Sequence, residues 1–366
     1  MLPITRKTAL LLNFTGNVYH WGCYGTSTEI YLSLVERGYS VTWLSVRYSR
    51  SCRPVPTNLA EFQSEEFRER FLKKNRALHH ALKETDVVVV NGEGTLHGRE
   101  NEAPRNLLYL MFLAATVYRK PVHLINHSFF PADHDVPDAT ADLLYQTVAS
   151  KLTAIVARDP ISCRILRRLG VSHVQSFDCL PRFLQRHDFR PGTSPSGPVV
   201  VSGGVSLSEK AGAAEAVAQA LRPAIEARRE IVFLAGAKGQ PDKGDRRCYE
   251  AFLARVPTMQ WHEARSMESW VEAIRTSACL VSGRFHHSIA AMALGTPFVV
   301  FPSNTSKVEG ICELVGMPPP IPYADPQFAE KIEDAVRRAL SGDLPATTPE
   351  MRAHMVEWGA RNFEGL

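Results

Sequence analysis

The chain has 366 residues, of which 45% are hydrophobic and 22% charged, proportions that exclude long disorder, a collagen-like repeat and a fibrous chain. Lys plus Arg number 42 and Asp plus Glu 38, a net charge of +4. That surplus is too small to imply a nucleic-acid partner, and it is compatible with anionic small molecules or a membrane surface.

Short apolar runs alternate with helical patterns from the first residues onward. Lys7–Asn13 predicts a strand, Thr26–Arg37 a helix closed by Gly38, and Ser40–Val46 the next strand. Asp86–Val90 predicts a buried strand, Arg105–Tyr118 a helix and Pro121–Asn126 a strand. Asp138–Ser150 (helix), Leu152–Ala157 (strand) and Pro160–Leu169 (helix) complete a first series. Arg190–Pro198, with three Pro, two Gly and two Ser, predicts a linker. The pattern then restarts: strands at Pro198–Ser202, Glu230–Ala235, Ala278–Ser282 and Pro297–Pro302, and helices at Ala211–Arg228, Tyr249–Val256, Ser269–Thr276, Arg284–Leu294, Ala329–Leu340 and Thr348–Asn362. Continuous apolar strands separated by amphipathic helices predict parallel sheets covered on both faces, an α/β protein with two Rossmann-like domains facing across a cleft. The expected bounds are 1–190 and 197–345, with 346–366 a C-terminal helix that crosses back.

No apolar run reaches the roughly 18–20 residues that span a bilayer, and Ala9–Leu12 is too short for a signal-peptide core. The seven cysteines contain no Cys-x-x-Cys pair, which argues against a disulfide framework and for reduced thiols. A cytoplasmic location follows, with room for peripheral association at the inner face of a membrane. The 13 histidines include no His-x-x-x-His or HExxH beside a suitable acid, so no metal site is expected.

Ligands of such sheets bind beyond the carboxyl ends of the strands, and four strand-end loops carry candidates. Phe14–Gly25 (FTGNVYHWGCYG) holds Asn17, His20 and Trp21 among three glycines, without a dinucleotide fingerprint. Asn91–Gly98 (NGEGTLHG) sets Glu93 between Gly92 and Gly94. Ala157-Arg158-Asp159 precedes Pro160; Asp159 fits a helix cap, whereas Arg158 is left as an anion ligand. Val281–Ser288 (VSGRFHHS) carries the strongest signal: Ser282 and Gly283 make the turn, helix-start amides supply partial positive charge, Arg284 a full charge and His286 a proton. His286 and His287 point about 100° apart on a helix, so one of them is free of the ligand, and His286 is the candidate. Lys307, after the next strand, is a further anion ligand.

These segments resemble the polysaccharide pyruvyl transferase family. The resemblance rests on the Asn17–Gly25 loop, VVVVNGEGTLHG, ARDPIS and above all SGRFHHSIAAMALGTPFVVFPSNTSK, similar to the family's Arg-x-His, Ala-Leu-Gly-x-Pro and Lys run. It implies a glycosyltransferase-B-like fold, phosphoenolpyruvate as co-substrate with no further cofactor, and transfer of pyruvate as a cyclic ketal onto a sugar of a cell-surface polysaccharide or its precursor. The acceptor would be a sugar or a lipid-linked glycan. Arg284 and His286 match the donor-binding motif, and Arg158 looks like a second donor-side arginine. In the expected chemistry His286 protonates the enol carbon, while Glu93 and His20 serve the acceptor side. Two other readings compete: a nucleotide-sugar-dependent glycosyltransferase of the same fold, and a non-catalytic anion- or sugar-binding protein of an envelope assembly. Against the first, Gly283-Arg284 stands where retaining members carry an acid.

Overall fold

The computed structural model describes residues 6–17, 20–98, 100–132, 134–192, 194–236 and 243–366. The expectations for Met1–Thr5, for Val18 and Tyr19 of the first loop and for Thr193 of the linker lie outside them. The chain divides into two compact units, Met1–Asn17 with Ser27–Cys179 and Trp358–Leu366, and Val18–Thr26 with Leu180–Glu357.

The first unit is built on a six-stranded parallel sheet. In chain order its elements are β1 (Thr8–Phe14), α1 (Trp21–Glu36, whose first turns through Thr26 group with the second unit), β2 (Ser40–Ser45), α2 (Val46–Ser51), α3 (Leu59–Gln63), α4 (Glu65–Lys74) and α5 (Arg76–Glu84). Then follow β3 (Val87–Glu93), α6 (Glu102–Thr116), β4 (Val122–His127), α7 (Ala139–Ala149), β5 (Ala154–Ala157), α8 (Pro160–Arg168) and β6 (Val174–Gln175). The strand order is β2-β1-β3-β4-β5-β6, with Leu11 paired to Val89 and Val90 to Leu124. Every residue of β3 and β4 is buried, which is why these strands read as unbroken apolar runs rather than alternating ones. The chain's last residues close this unit: Asn362 accepts from the Asn126 amide at 2.7 Å, and Phe363 packs with Ala9, Leu11 and Val89.

The second unit continues with α9 (Leu180–Arg186), β7 (Val199–Val201), α10 (Ala213–Ala220), α11 (Arg222–Glu226), β8 (Ile231–Leu234), α12 (Lys243–Leu253) and β9 (Gln260–His262). It ends with α13 (Met267–Arg275), β10 (Cys279–Ser282), α14 (Phe285–Leu294), β11 (Phe298–Val300), α15 (Lys307–Val315), α16 (Phe328–Ser341) and α17 (Pro349–Ala360). Its five strands, all parallel, run β11-β10-β7-β8-β9. The helix Leu180–Arg186 lies ahead of the Pro- and Gly-rich stretch Arg190–Pro198 yet groups with this unit.

Two local expectations change. The helix expected from Thr26 begins at Trp21, so Gly22 and Gly25 are helical rather than loop residues. A Cβ on Gly25 would stand 2.7 Å from a Leu180 methyl carbon, so it is the packing of this turn that requires glycine. The single helix expected over Ala211–Arg228 breaks at Leu221. Pro223 follows within two residues, and it lacks the N–H that would continue the ladder.

Candidate active site

In the second sheet the strand order reverses between β7 and β10, and a topological switch point is where open α/β sheets bind ligands. The turns after both strands are glycine turns in close approach. A Cβ on Gly204 would stand 2.8 Å from the backbone of Gly283, and one on Gly283 would stand 3.2 Å from the Gly204 Cα. Ser282 Oγ lies 2.7 Å from Ser202 Oγ and accepts the Arg284 amide at 3.0 Å. Arg284 caps α14 in extended conformation, φ −100° and ψ 124°, so the helix begins at Phe285, one residue later than expected. Its guanidinium donates to Asp245 Oδ1 at 2.5 Å, while Asp245 Oδ2 accepts the Gly236 amide at 2.8 Å. Asp245 is fully buried and the arginine side chain 13% exposed, so the carboxylate holds the guanidinium in place at the head of α14. Ser202, Gly203-Gly204 and Asp245 were not among the sequence candidates. VVVSGGVS, a valine run ending in a glycine pair, was a legible signal for the first three.

The two adjacent histidines of α14 have different surroundings. His287 Nδ1 lies 3.2 Å from Ser202 Oγ and its ring sits 5.5 Å from that of buried Trp270. Burial, Arg284 and His286 hold its pKa well below the ordinary value. His286 turns instead toward the first turn of α1. A Cβ on Gly22 would stand 2.2 Å from the His286 Cβ, so the glycine lets the two helices meet there. The result is a cluster of His20, Cys23 and His286: His20 Nε2 is 3.6 Å from Cys23 Sγ, Cys23 Sγ is 3.9 Å from His286 Nδ1, and the two imidazole centroids are 5.0 Å apart. His20, expected beside Glu93 on the acceptor side, groups instead with the second unit and His286. Burial, then the charges of His286, Arg284, His287 and Lys307, hold its pKa well below the ordinary value. Lys307 begins α15, donating to Asn304 Oδ1 at 2.7 Å with its ammonium 5.7 Å from the Phe285 ring centroid.

The candidates of the first unit belong to a different structure, a buried polar network at the ends of β1, β3, β4 and β5. Glu93, expected as an unencumbered base, is 6% exposed, with φ +40°. Its carboxylate accepts from Thr15 Oγ1 and from Asn91 Nδ2 at 3.2 Å. Asn91 is in turn held by Asn126 and Ser27. A Cβ on Gly92 would stand 2.3 Å from the His127 Cβ, so this glycine serves the packing of β3 on β4. The Gly94 carbonyl accepts from His97 Nδ1 at 2.8 Å, and Asn17 is exposed in the turn after β1. Arg158, expected as an anion ligand, is 1% exposed. Its guanidinium donates to Asp178 at 2.6 Å and to Ser128 Oγ at 3.0 Å. The correction is physical: a fully buried guanidinium must be neutralised from within the protein, and Asp178, also fully buried, does this.

His127, at the end of β4, is fully buried with no hydrogen-bond partner at either ring nitrogen among the described residues. Burial, followed by the charges of Arg158 and His173, pushes its pKa down to about 3. Between that value and an unfolded-state value near 6.5 the unfolded chain takes up a proton that the folded chain refuses. Stability is therefore full above this window and falls as pH drops through it, by about 1.4 kcal/mol per pH unit for one such group. Urea unfolding between pH 7 and 5 should show a shallower loss in His127→Phe than in the unchanged protein; equal slopes would mean that His127 titrates normally in the fold.

Two parallel sheets covered by helices define a glycosyltransferase-B-type fold with two Rossmann-like domains, with Arg284 and His286 at the switch point of the second sheet. Solved structures show the same fold at low identity. The chain is similar to the UDP-GlcNAc 2-epimerase from Methanocaldococcus jannaschii at 12% identity, with a TM-score of 0.58 over 97% of this chain and 98% of that one. It is similar to that from Neisseria meningitidis, bound to UDP-GlcNAc, at 11% identity, with a TM-score of 0.58 over 97% of each. No curated protein matches the sequence. Residues 39–305 match the model of the polysaccharide pyruvyl transferase family, and the chain belongs to that family.

Proposed function

We propose that the protein transfers pyruvate from phosphoenolpyruvate onto two hydroxyls of a sugar, forming a cyclic ketal. The observation that carries this reading is the pairing of Arg284 with His286 at the head of α14, at the switch point, in a chain of this family. Phosphoenolpyruvate brings a phosphate and a carboxylate. The amides of the helix start, the oriented Arg284 and the Lys307 ammonium suit two anionic groups. In the reaction, the enol CH₂ gains a proton as a sugar hydroxyl forms a bond to C2. A second hydroxyl then attacks C2, the C–O bond to phosphate breaks, and phosphate leaves. Imidazole is the side chain suited to giving and retaking a proton near neutral pH, and His286 is the candidate for that role. The acceptor is a sugar of a cell-surface polysaccharide or its lipid-linked precursor, reached by a cytoplasmic protein at the inner face of the membrane.

Calorimetry with phosphoenolpyruvate, UDP-GlcNAc and a CMP-sugar tests the donor. Binding of phosphoenolpyruvate is expected, and Arg284→Ala should weaken it by about 1.5–3 kcal/mol, the range for hydrogen bonds to charged groups. A protein that takes a nucleotide sugar and ignores phosphoenolpyruvate would be a glycosyltransferase, and this reading would fail.

A further inference from the structure

We infer that His20, Cys23 and His286 form a binding site for a zinc-class divalent ion, with the fourth coordination position open. Their candidate ligand atoms all lie within 4.8 Å of one another. Zinc bonds of roughly 2.3 Å to sulfur and 2.0–2.1 Å to nitrogen put a tetrahedral N···S edge at about 3.6 Å. The His20 Nε2···Cys23 Sγ separation is 3.6 Å and the Cys23 Sγ···His286 Nδ1 separation 3.9 Å, so two edges of such a tetrahedron are formed or nearly formed by the protein alone.

The arrangement is built into the packing. His20 and Cys23 stand three residues apart at the start of α1, where the Tyr24 amide bonds back to the His20 carbonyl at 3.1 Å, and that spacing puts both side chains on one face. Gly22 between them admits His286 of α14 to a distance that any side chain would block. Trp21 anchors the same turn through its indole N–H to the Ala264 carbonyl at 2.9 Å. A thiolate with imidazole nitrogens is a donor set that selects zinc, cobalt or copper over magnesium or calcium.

The nearby charged groups are Arg284, His287 and Lys307, so a bound cation depends on the thiolate for its neutralisation. Arg284 is paired with buried Asp245, and a Cys23 thiolate would leave a bound divalent ion with a net charge of one. That residual charge suits an anionic fourth ligand. Nδ1 of His286 carries either the ion or a proton; if the reading of His286 as proton donor holds, turnover belongs to the metal-free chain.

The test is titration of the full chain, stripped with a chelator, by Co(II), followed by displacement with Zn(II). One equivalent of Co(II) is expected to bind, with a thiolate-to-cobalt charge-transfer band in the near ultraviolet and the intensified visible bands of a four-coordinate ion. Cys23→Ser should abolish the charge-transfer band, and His20→Ala should weaken binding at least tenfold. Circular dichroism of the metal-free variants separates a lost site from a lost fold. Gly22→Ala, which displaces His286 while leaving every ligand present, should weaken binding as well. Absence of stoichiometric uptake by the unchanged protein, or uptake unaffected by both Cys23→Ser and His20→Ala, would overturn the proposal. A protein that binds Co(II) and ignores phosphoenolpyruvate keeps this site and loses the donor reading; the converse result does the opposite.

Discussion

His286→Ala is expected to lower ketal formation by about 10²–10⁴-fold, the usual contribution of a positioned proton donor, while weakening phosphoenolpyruvate binding much less. On the proposed reading the imidazole acts on a proton that moves only during the reaction, whereas Arg284 and the helix-start amides would meet charges present in the ground state. A loss confined to kcat is the signature of an interaction made in the transition state. Alanine is the informative replacement because the close approach to Gly22 is made chiefly by the His286 Cβ, which alanine retains; the seam between α1 and α14 should survive. Phosphate release with an acceptor present, and calorimetry with phosphoenolpyruvate, measure the two quantities separately. Equal losses in both would recast His286 as a binding residue, and unchanged turnover would remove it from the reaction.

The difference between what the sequence carried and what it hid lies in the range of the interactions. Val87–Val90, Leu10–Leu12 and Cys279–Val281 are buried throughout, so their apolar runs announced central strands without help from neighbours. The edge strands β6 and β9 are short and partly exposed, and carry no such run. Between β2 and β3 the chain makes four helices, α2–α5, each spanning ten residues or fewer around one or two buried side chains; a stripe that narrow does not rise above the charged residues around it. Arg284 and His286 were legible because turn, cap and charge adjoin in one segment. Cys23 and Asp245 were not, since each acquires its meaning from a partner 263 or 39 positions away. A search for paired histidines at helical spacing passes over a ligand set whose third member comes from another helix. Arg158 misled for the complementary reason. A strand-end arginine looks available in sequence, and only the fold shows that Asp178, 20 residues on, is buried against it.

That buried pair has the largest expected effect on stability. Asp178→Ala should destabilise the fold by about 3–5 kcal/mol, because it removes the carboxylate 2.6 Å from a charged, buried guanidinium. Ser128 Oγ stays within reach at 3.0 Å, and a hydroxyl does not replace a carboxylate at 2.6 Å. The size of the effect comes from stranding a charge rather than from removing an attraction, and a double variant makes the two separable. Arg158→Met with Asp178→Leu removes both charges and keeps apolar bulk, so it should recover most of the loss. Urea unfolding of the single and double variants measures this directly. A single variant as stable as the unchanged protein would mean that water or another group reaches the guanidinium, and Arg158 would then again be available to an anion, as its position at the end of β5 first suggested.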